Sequence, residues 1–142
     1  MDAKQYSVSP SGEKFTIPST KDYAKEFERL KKLAARNRKE GREIVVVVGV
    51  GFVGAVMAGV VADATDKKGR STKFVIAMQR PSSRSYWKIP LLNRGLAPVK
   101  SEDPEVDVMI ERCVNKKKTL VATYTYDALK LADVVVVDVQ CD

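Results

Sequence analysis

The sequence predicts an α/β fold in which parallel strands alternate with helices. Two observations support this prediction. The β-branched run from Ile44 to Val48 is typical of a strand that is buried on both faces, and a similar run begins at Val134. Segments with apolar residues at helical spacing lie between the predicted strands. Such alternation implies right-handed crossovers and a parallel sheet.

The first part of the chain is predicted to be an arm and a helix. Residues 1–18 contain Ser, Pro, Gly and Lys with few apolar residues, so we expect a flexible or loosely docked arm. Ser19 to Glu40 has a capping-box start and ends before Gly41. One face of this helix carries an apolar stripe of Tyr23, Phe27, Leu30, Leu33 and Ala34. We expect the stripe to pack on the neighbouring domain or to form a dimer contact.

The remaining elements follow in alternation. We predict residues 1–43 as an N-terminal extension and 44–142 as an incomplete domain that folds without it. Prolines interrupt residues 80–100, where no long helix is expected. The predicted elements are a helix from about Phe52 to Ala64, a strand from Lys73 to Met78, a helix beginning at Asp103-Pro104, a strand from Thr119 to Ala122, a short helix from Thr125 to Leu131 and a strand from Val134 to Val139.

A glycine-rich turn follows the first buried strand and opens a helix. Gly49 permits the tight turn, Gly51 lets the backbone approach a ligand, and Gly54 lets the helix pack close to the strand. Amides at the helix N-terminus then face a negative charge. The context favours a site for the pyrophosphate of NAD or NADP over a turn that binds nothing. It also predicts a Rossmann-type doubly wound sheet with the order 3-2-1-4, truncated after about four strands.

The second strand ends at a position whose side chain usually hydrogen-bonds to the adenosine ribose. An acidic residue is common there in NAD-binding proteins, but this chain has Gln79, followed by Arg80 and Arg84. Glutamine can bond a ribose hydroxyl and does not repel a 2′-phosphate. The two guanidinium groups could hold that phosphate, or Arg80 could stack on adenine while Arg84 is merely exposed.

From Ile44 onward the chain resembles the N-terminal domain of the nucleotide-sugar dehydrogenases, the UDP-glucose and GDP-mannose 6-dehydrogenase family. The glycine turn includes the aromatic-Val pair, Phe52 and Val53, that this family has before its last glycine. Leu91 to Val99 resembles the family segment L-N-x-G-x-x-P-I, and Glu102-Asp103-Pro104 stands near its E-P-G-L. Thr119 to Val134 resembles its L-x-A-T-x-D … A-x-x-A-D-V block.

The resemblance implies a cofactor domain that uses NAD, with NADP possible. The family oxidises the sugar C6 alcohol to a carboxylate in two hydride transfers, using catalytic residues in later segments, so we expect none here. A full-length protein would bind a nucleotide sugar. The implied cofactor-binding residues are Gly49, Gly51, Phe52, Val53, Gly54, Gln79, Arg80, Arg84 and Thr123.

The chain also departs from the family pattern. Gln79 replaces an aspartate, Val139 to Asp142 replaces a V-P-T-P turn, and residues 1–42 have no counterpart. Cys141 is not at the family nucleophile's position and is expected to be a pocket-lining or terminal residue. Two alternatives therefore stay open: an NADP-linked dehydrogenase of the 6-phosphogluconate or hydroxyisobutyrate kind, and a non-catalytic nucleotide-binding module.

Composition argues against several other classes of function. The net charge is +7, but the basic residues are scattered and no aromatic residues interleave with them, so we expect no nucleic-acid binding. The chain has no histidine and two cysteines without metal-type spacing, so we expect no metal site. No apolar run could span a bilayer and the N-terminus is polar, so we expect no membrane partner and a cytoplasmic protein.

Overall fold

The computed structural model describes residues 5–138 of the chain. A π-helical turn covers Arg112–Lys117 and a 3₁₀ helix covers Tyr126–Leu131, and the other strands and helices are numbered in chain order. The strands are β1 (Tyr6–Val8), β2 (Lys14–Thr16), β3 (Glu43–Val48), β4 (Lys73–Met78), β5 (Leu120–Thr123) and β6 (Val134–Val137). The helices are α1 (Thr20–Lys39), α2 (Phe52–Asp63), α3 (Lys88–Asn93) and α4 (Pro104–Glu111).

Four of the strands form a parallel sheet with the order β5-β4-β3-β6. The central strand β3 pairs with β4, where Val45 is opposite Val75, and with β6, where Val45 is opposite Val134. This is the predicted 3-2-1-4 order, so the Rossmann-like arrangement of these four strands is confirmed. The carboxyl ends of β3, β4 and β6 therefore meet at one edge, next to the glycine turn.

One face of the sheet packs against α2. Val45 and Val47 point to this face because side chains alternate along a strand. Small residues on α2, including Ala55, Ala58 and Ala62, are fully or almost fully buried against them. Short side chains let the helix backbone approach the strands closely, and this fixes the position of the α2 N-terminus.

The other face packs against α1. Leu30 is completely buried and, with Ala34, contacts a cluster that includes Ile44, Val46 and Phe74. The capping box is present, because the Ser19 N–H donates to Asp22 Oδ2 at 2.8 Å. The stripe therefore packs on the sheet, and the helix covers a face that would otherwise expose β-branched side chains to water.

The N-terminal arm is more ordered than its composition predicts. Strands β1 and β2 form an antiparallel hairpin, and Gly12 adopts a φ of 93° in its turn. The Ser7 hydroxyl accepts a hydrogen bond from the backbone N–H of Trp87 at 3.0 Å. The Glu13 carboxylate binds both terminal nitrogens of Arg94, at 2.9 and 2.7 Å. Of the two expectations for this arm, flexible or loosely docked, these contacts favour the docked one. The Pro-Ser-Gly turn between two short segments was the available signal.

The other boundaries differ from prediction by a few residues. β5 is shifted by one residue, and β6 is described only as far as Val137. Helix α4 runs on into the π-helical turn, which ends at Lys118 with a left-handed φ of 57°. None of the helices in residues 5–138 is long and apolar enough to cross a membrane.

Candidate cofactor site

Gly49 makes the turn at the end of β3. Its φ is 109°, a conformation that other residues rarely adopt, and its N–H donates to the Met78 carbonyl at 2.8 Å. A Cβ on Gly49 would lie 2.6 Å from the carbonyl oxygen of Asp138. Glycine is therefore needed at this position for both its conformation and its size.

Gly54 lies in the first turn of α2, directly against the strand-helix turn. A Cβ on this residue would lie 2.0 Å from the carbonyl oxygen of Gly49. No side chain fits in that space unless the helix moves away. The third glycine thus has the packing role that the sequence analysis assigned to it.

Gly51 is the N-cap of α2 and leaves the helix end open. Its φ of −74° and ψ of −170° are extended, and no side chain caps the helix there. The first intrahelical bond runs from the Ala55 N–H to the Gly51 carbonyl at 2.9 Å. The earlier amides, at Phe52 and Val53, are suited to an anion, and both side chains are about half exposed.

Gln79 connects the end of β4 to the glycine turn. The Val50 N–H donates to Gln79 Oε1 at 2.9 Å. A backbone N–H can only donate, so the acceptor must be the amide oxygen, and the Gln79 NH₂ group is left as a donor. The Gln79 backbone N–H also bonds to the Thr123 carbonyl at 3.0 Å, which holds the strand end in place.

Arg80 and Arg84 lie on an ordered loop and have exposed side chains. The Arg80 carbonyl accepts from the Ser85 hydroxyl at 3.2 Å, and the Arg84 carbonyl accepts from Trp87 Nε1 at 2.8 Å. Within residues 5–138 neither guanidinium forms an ion pair. Both remain available to an incoming anion, on backbone that does not need to reorder.

Thr123 is fully buried beneath α1. Its hydroxyl donates to Glu26 Oε2 at 2.6 Å, and Glu26 also binds Arg29 through two bonds of 2.7 and 2.8 Å. A cofactor contact from the Thr123 hydroxyl would require the bond to Glu26 to be exchanged. Its role in cofactor binding stays a prediction.

Asp138 borders the glycine turn, and the sequence analysis did not identify it. Its N–H donates to the Val48 carbonyl at 2.9 Å, and its Oδ2 lies 3.2 Å from the position that a Cβ on Gly54 would occupy. A carboxylate at the N-terminus of α2 interacts favourably with the helix dipole. It also opposes a phosphate bound at the same amides.

Asn93, in the segment that resembles L-N-x-G, supports the edge strand β5. Its Nδ2 donates to the Ala122 carbonyl at 3.0 Å, and its Oδ1 accepts from the Ala122 N–H at 2.7 Å. The side-chain amide therefore replaces a neighbouring strand at this point of the sheet edge. This motif positions β5 and does not itself reach the glycine turn.

The described residues contain no evident nucleophile or metal site. Cys113 is buried, and burial raises the pKa of its thiol, so it lacks the character of a reactive cysteine. Residues 5–138 hold no group of three or more His, Cys, Asp or Glu side chains that could bind a metal ion. Cys141 and the segment Val139 to Asp142 lie outside the described residues.

Comparison with known proteins relates the chain to a solved dehydrogenase structure. Neither protein-family models nor curated proteins match the chain. Among solved structures it matches the NDP-N-acetyl-D-galactosaminuronic acid dehydrogenase of Methanosarcina mazei Go1, with a TM-score of 0.62 and 31% identity over 78% of this chain. The chain is therefore similar, over most of its described fold, to one part of a nucleotide-sugar dehydrogenase. This similarity confirms the predicted resemblance. The chain spans 22% of the length of that protein.

Proposed function

We propose that this chain is the N-terminal NAD(P)-binding part of a nucleotide-sugar 6-dehydrogenase. The complete enzyme would oxidise the C6 alcohol of the sugar to a carboxylate. The observation that carries the proposal is the glycine turn, in which close contacts at Gly49 and Gly54 hold an uncapped helix N-terminus at the carboxyl end of the sheet. The match to a nucleotide-sugar dehydrogenase supports it.

The residues of this chain fit a dinucleotide in most respects. The amides of Phe52 and Val53 would hold the pyrophosphate, and the free NH₂ of Gln79 would donate to the adenosine ribose. Arg80 and Arg84 would hold the adenine or a 2′-phosphate. A bound nicotinamide would supply the hydride acceptor for the oxidation of the substrate. We assign the chain's own residues to binding and orientation, and none of them to the chemical step.

The same residues suggest that both cofactors bind. No carboxylate occupies position 79 to repel a 2′-phosphate. Arg80 and Arg84 follow on the loop, and neither forms an ion pair within residues 5–138. The Asp138 carboxylate opposes the pyrophosphate, which NAD and NADP share, so it weakens both equally. We therefore propose measurable binding of each. The family resemblance implies NAD, and on that ground we expect NAD to be modestly preferred.

Calorimetric titration with NAD and NADP tests the proposal. In Gly51→Val the new side chain fills the pyrophosphate position, while the extended backbone at residue 51 accommodates valine without strain. We expect this variant to retain its melting temperature and lose binding of both cofactors. Ala64→Val is the matched control, because Ala64 is exposed and extended at the opposite end of α2.

Three results would contradict the proposal in different ways. Normal binding by folded Gly51→Val would show that the turn is not the site. A folded wild type that binds neither cofactor would favour the non-catalytic module. A preference for NADP above about a hundredfold, or about 2.7 kcal/mol, would favour the 6-phosphogluconate or hydroxyisobutyrate type of dehydrogenase.

A further inference from the structure

A cavity of about 740 Å³ lies along the outer edge of β5, away from the glycine turn. Leu120 and Val121 of β5 line it, together with residues of α1, of α3 and of the π-helical turn. None of the glycine-turn residues line it. Its volume is in the range of sites that bind small organic ligands.

The charge of this cavity is strongly positive. Two carboxylates line it, Glu26 and Glu40, against five cationic side chains, which are Arg29, Arg36, Arg42, Lys117 and Lys118. Three of these cations are already paired: Arg29 with Glu26, Arg42 with Glu40 and Lys117 with Asp63. Across residues 5–138, Arg36 and Lys118 form no ion pair.

Arg42 adds positive potential that its neighbours only partly balance. Its Nη1 donates to Asn37 Oδ1 at 2.8 Å and also meets Glu40. Its Nε is buried and has no hydrogen-bond acceptor among the described residues. A partly buried guanidinium with one unpartnered N–H group offers a donor to an anion in the cavity.

Two tyrosine rings give the cavity an aromatic part. Tyr86 and Tyr124 line it, and their rings pack edge to face with centroids 6.0 Å apart. Burial, with the nearby Glu26 carboxylate, raises the pKa of Tyr124, so its ring stays neutral at physiological pH. Ile89 and Pro90 of α3 add apolar surface.

A peptide strand is disfavoured as the occupant. Both backbone groups of Ala122 on the outer edge of β5 are already bonded to Asn93, and its carbonyl also accepts from Arg29 at 3.2 Å. An added strand would have to displace these bonds. From the volume, the cations and the tyrosines, we propose that this cavity binds a small aromatic phosphate of about nucleotide size, independently of the dinucleotide site.

Titration with phenyl phosphate at low salt tests this proposal. We expect saturable binding, weakened about tenfold or more in the double variant Arg36→Gln/Lys118→Gln, because two unpaired charges are lost. Both side chains are exposed, so the variant should fold normally, and its melting temperature checks this. Lys67→Gln/Lys68→Gln removes the same charge from an exposed loop outside the cavity and should bind like wild type.

The assignment fails if phenyl phosphate does not saturate, or if the Lys67/Lys68 control loses as much affinity as the Arg36/Lys118 variant. Weaker binding in Gly51→Val would place the probe at the glycine turn instead. Inorganic phosphate that binds as tightly as phenyl phosphate would remove the aromatic part of the proposal. A hexaglutamate peptide that binds more tightly would make the partner an acidic chain.

Discussion

The side-chain oxygen of Gln79 accepts the Val50 N–H at 2.9 Å and so joins the end of β4 to the glycine turn. This bond leaves the Gln79 NH₂ group as the donor that a ribose would meet. The identity of residue 79 therefore affects the shape of the turn and the charge beside the ribose at the same time.

Gln79→Glu should increase discrimination against NADP. One carboxylate oxygen can still accept the Val50 N–H, while the other places a negative charge where the NH₂ group stood. Repulsion of the 2′-phosphate should weaken NADP binding about tenfold or more and leave NAD within a few fold. Titration of both cofactors measures this, and Gln79→Asp should act in the same direction. Unchanged preference in both variants would show that residue 79 does not read the ribose.

Asp138→Asn should strengthen the binding of both dinucleotides. The substitution removes a negative charge at the N-terminus of α2, and we expect affinities to rise about two- to tenfold. Loss of the favourable interaction between this carboxylate and the α2 dipole should slightly lower the melting temperature of the ligand-free protein. Asp107→Asn removes a charge from the exposed surface of α4 and serves as the control. A gain of equal size in both variants would indicate general electrostatics and not a contact at the turn.

Leu30→Ala should strongly destabilise the fold. The Leu30 side chain of α1 is fully buried against the sheet. Truncation of a buried leucine to alanine lowers the free energy of unfolding by about 2–5 kcal/mol. Lys32→Ala, at an exposed position of the same helix, should cost little. Urea unfolding monitored by circular dichroism gives both values. Because α1 buries this face of the sheet, we no longer expect residues 44–142 to fold well without the extension, and deletion of residues 1–39 should lower stability severely. A truncated chain as stable as wild type would show that α1 is dispensable.

Asp63→Asn should destabilise the protein at neutral pH but not in strong acid. Hydrogen bonds from Arg112, at 3.0 and 2.8 Å, and from Lys117 hold the pKa of the Asp63 carboxyl well below its usual value of 3.8. Because the pKa of Asp63 is lower in the folded than in the unfolded chain, its ionised form stabilises the fold at pH values above the unfolded-state pKa. This stabilisation is lost as the pH falls from the unfolded-state pKa toward the folded-state pKa. We expect a cost of about 1–2 kcal/mol at pH 7, since the pair is partly exposed.

The difference between wild type and Asp63→Asn should then shrink as the pH is lowered from about 4. Urea unfolding at a series of pH values measures this. Glu43→Gln breaks only the pair with Lys73 at the surface and should have little effect at any pH. A constant difference down to pH 2 would mean that the ion pairs of Asp63 do not account for the loss.

Local pattern predicted the central sheet and the glycine turn. β-branched runs are typical of buried strands, and the positive φ of Gly49 and the contact of Gly54 with the Gly49 carbonyl are local features of the turn. The contact of Gly49 with Asp138 is long-range and could not be read from the motif. The N-terminal hairpin was missed because its strands have three residues each, too few to show alternation. Short strands of this kind depend on tertiary contacts such as those of Glu13 with Arg94.

Long-range contacts account for the residues that sequence reasoning missed at the site. Glu26 meets the Thr123 hydroxyl from 97 positions away, and nothing in either segment indicates the other. Asp138 follows a run of four valines and was included in an apolar strand, although the pairing of β3 with β6 brings it to the turn. Both contacts exist only after the sheet order is set.

The sheet order also bears on the sequence of events during folding. β3 can pair with β4 early, whereas its pairing with β6 closes a far longer loop, marked by the bond between the Ile44 N–H and the Asp133 carboxylate across 89 positions. Closing such a loop costs chain entropy before any contact compensates for it. β6 should therefore dock late and detach first, and its amides should exchange hydrogen for deuterium sooner than those between β3 and β4.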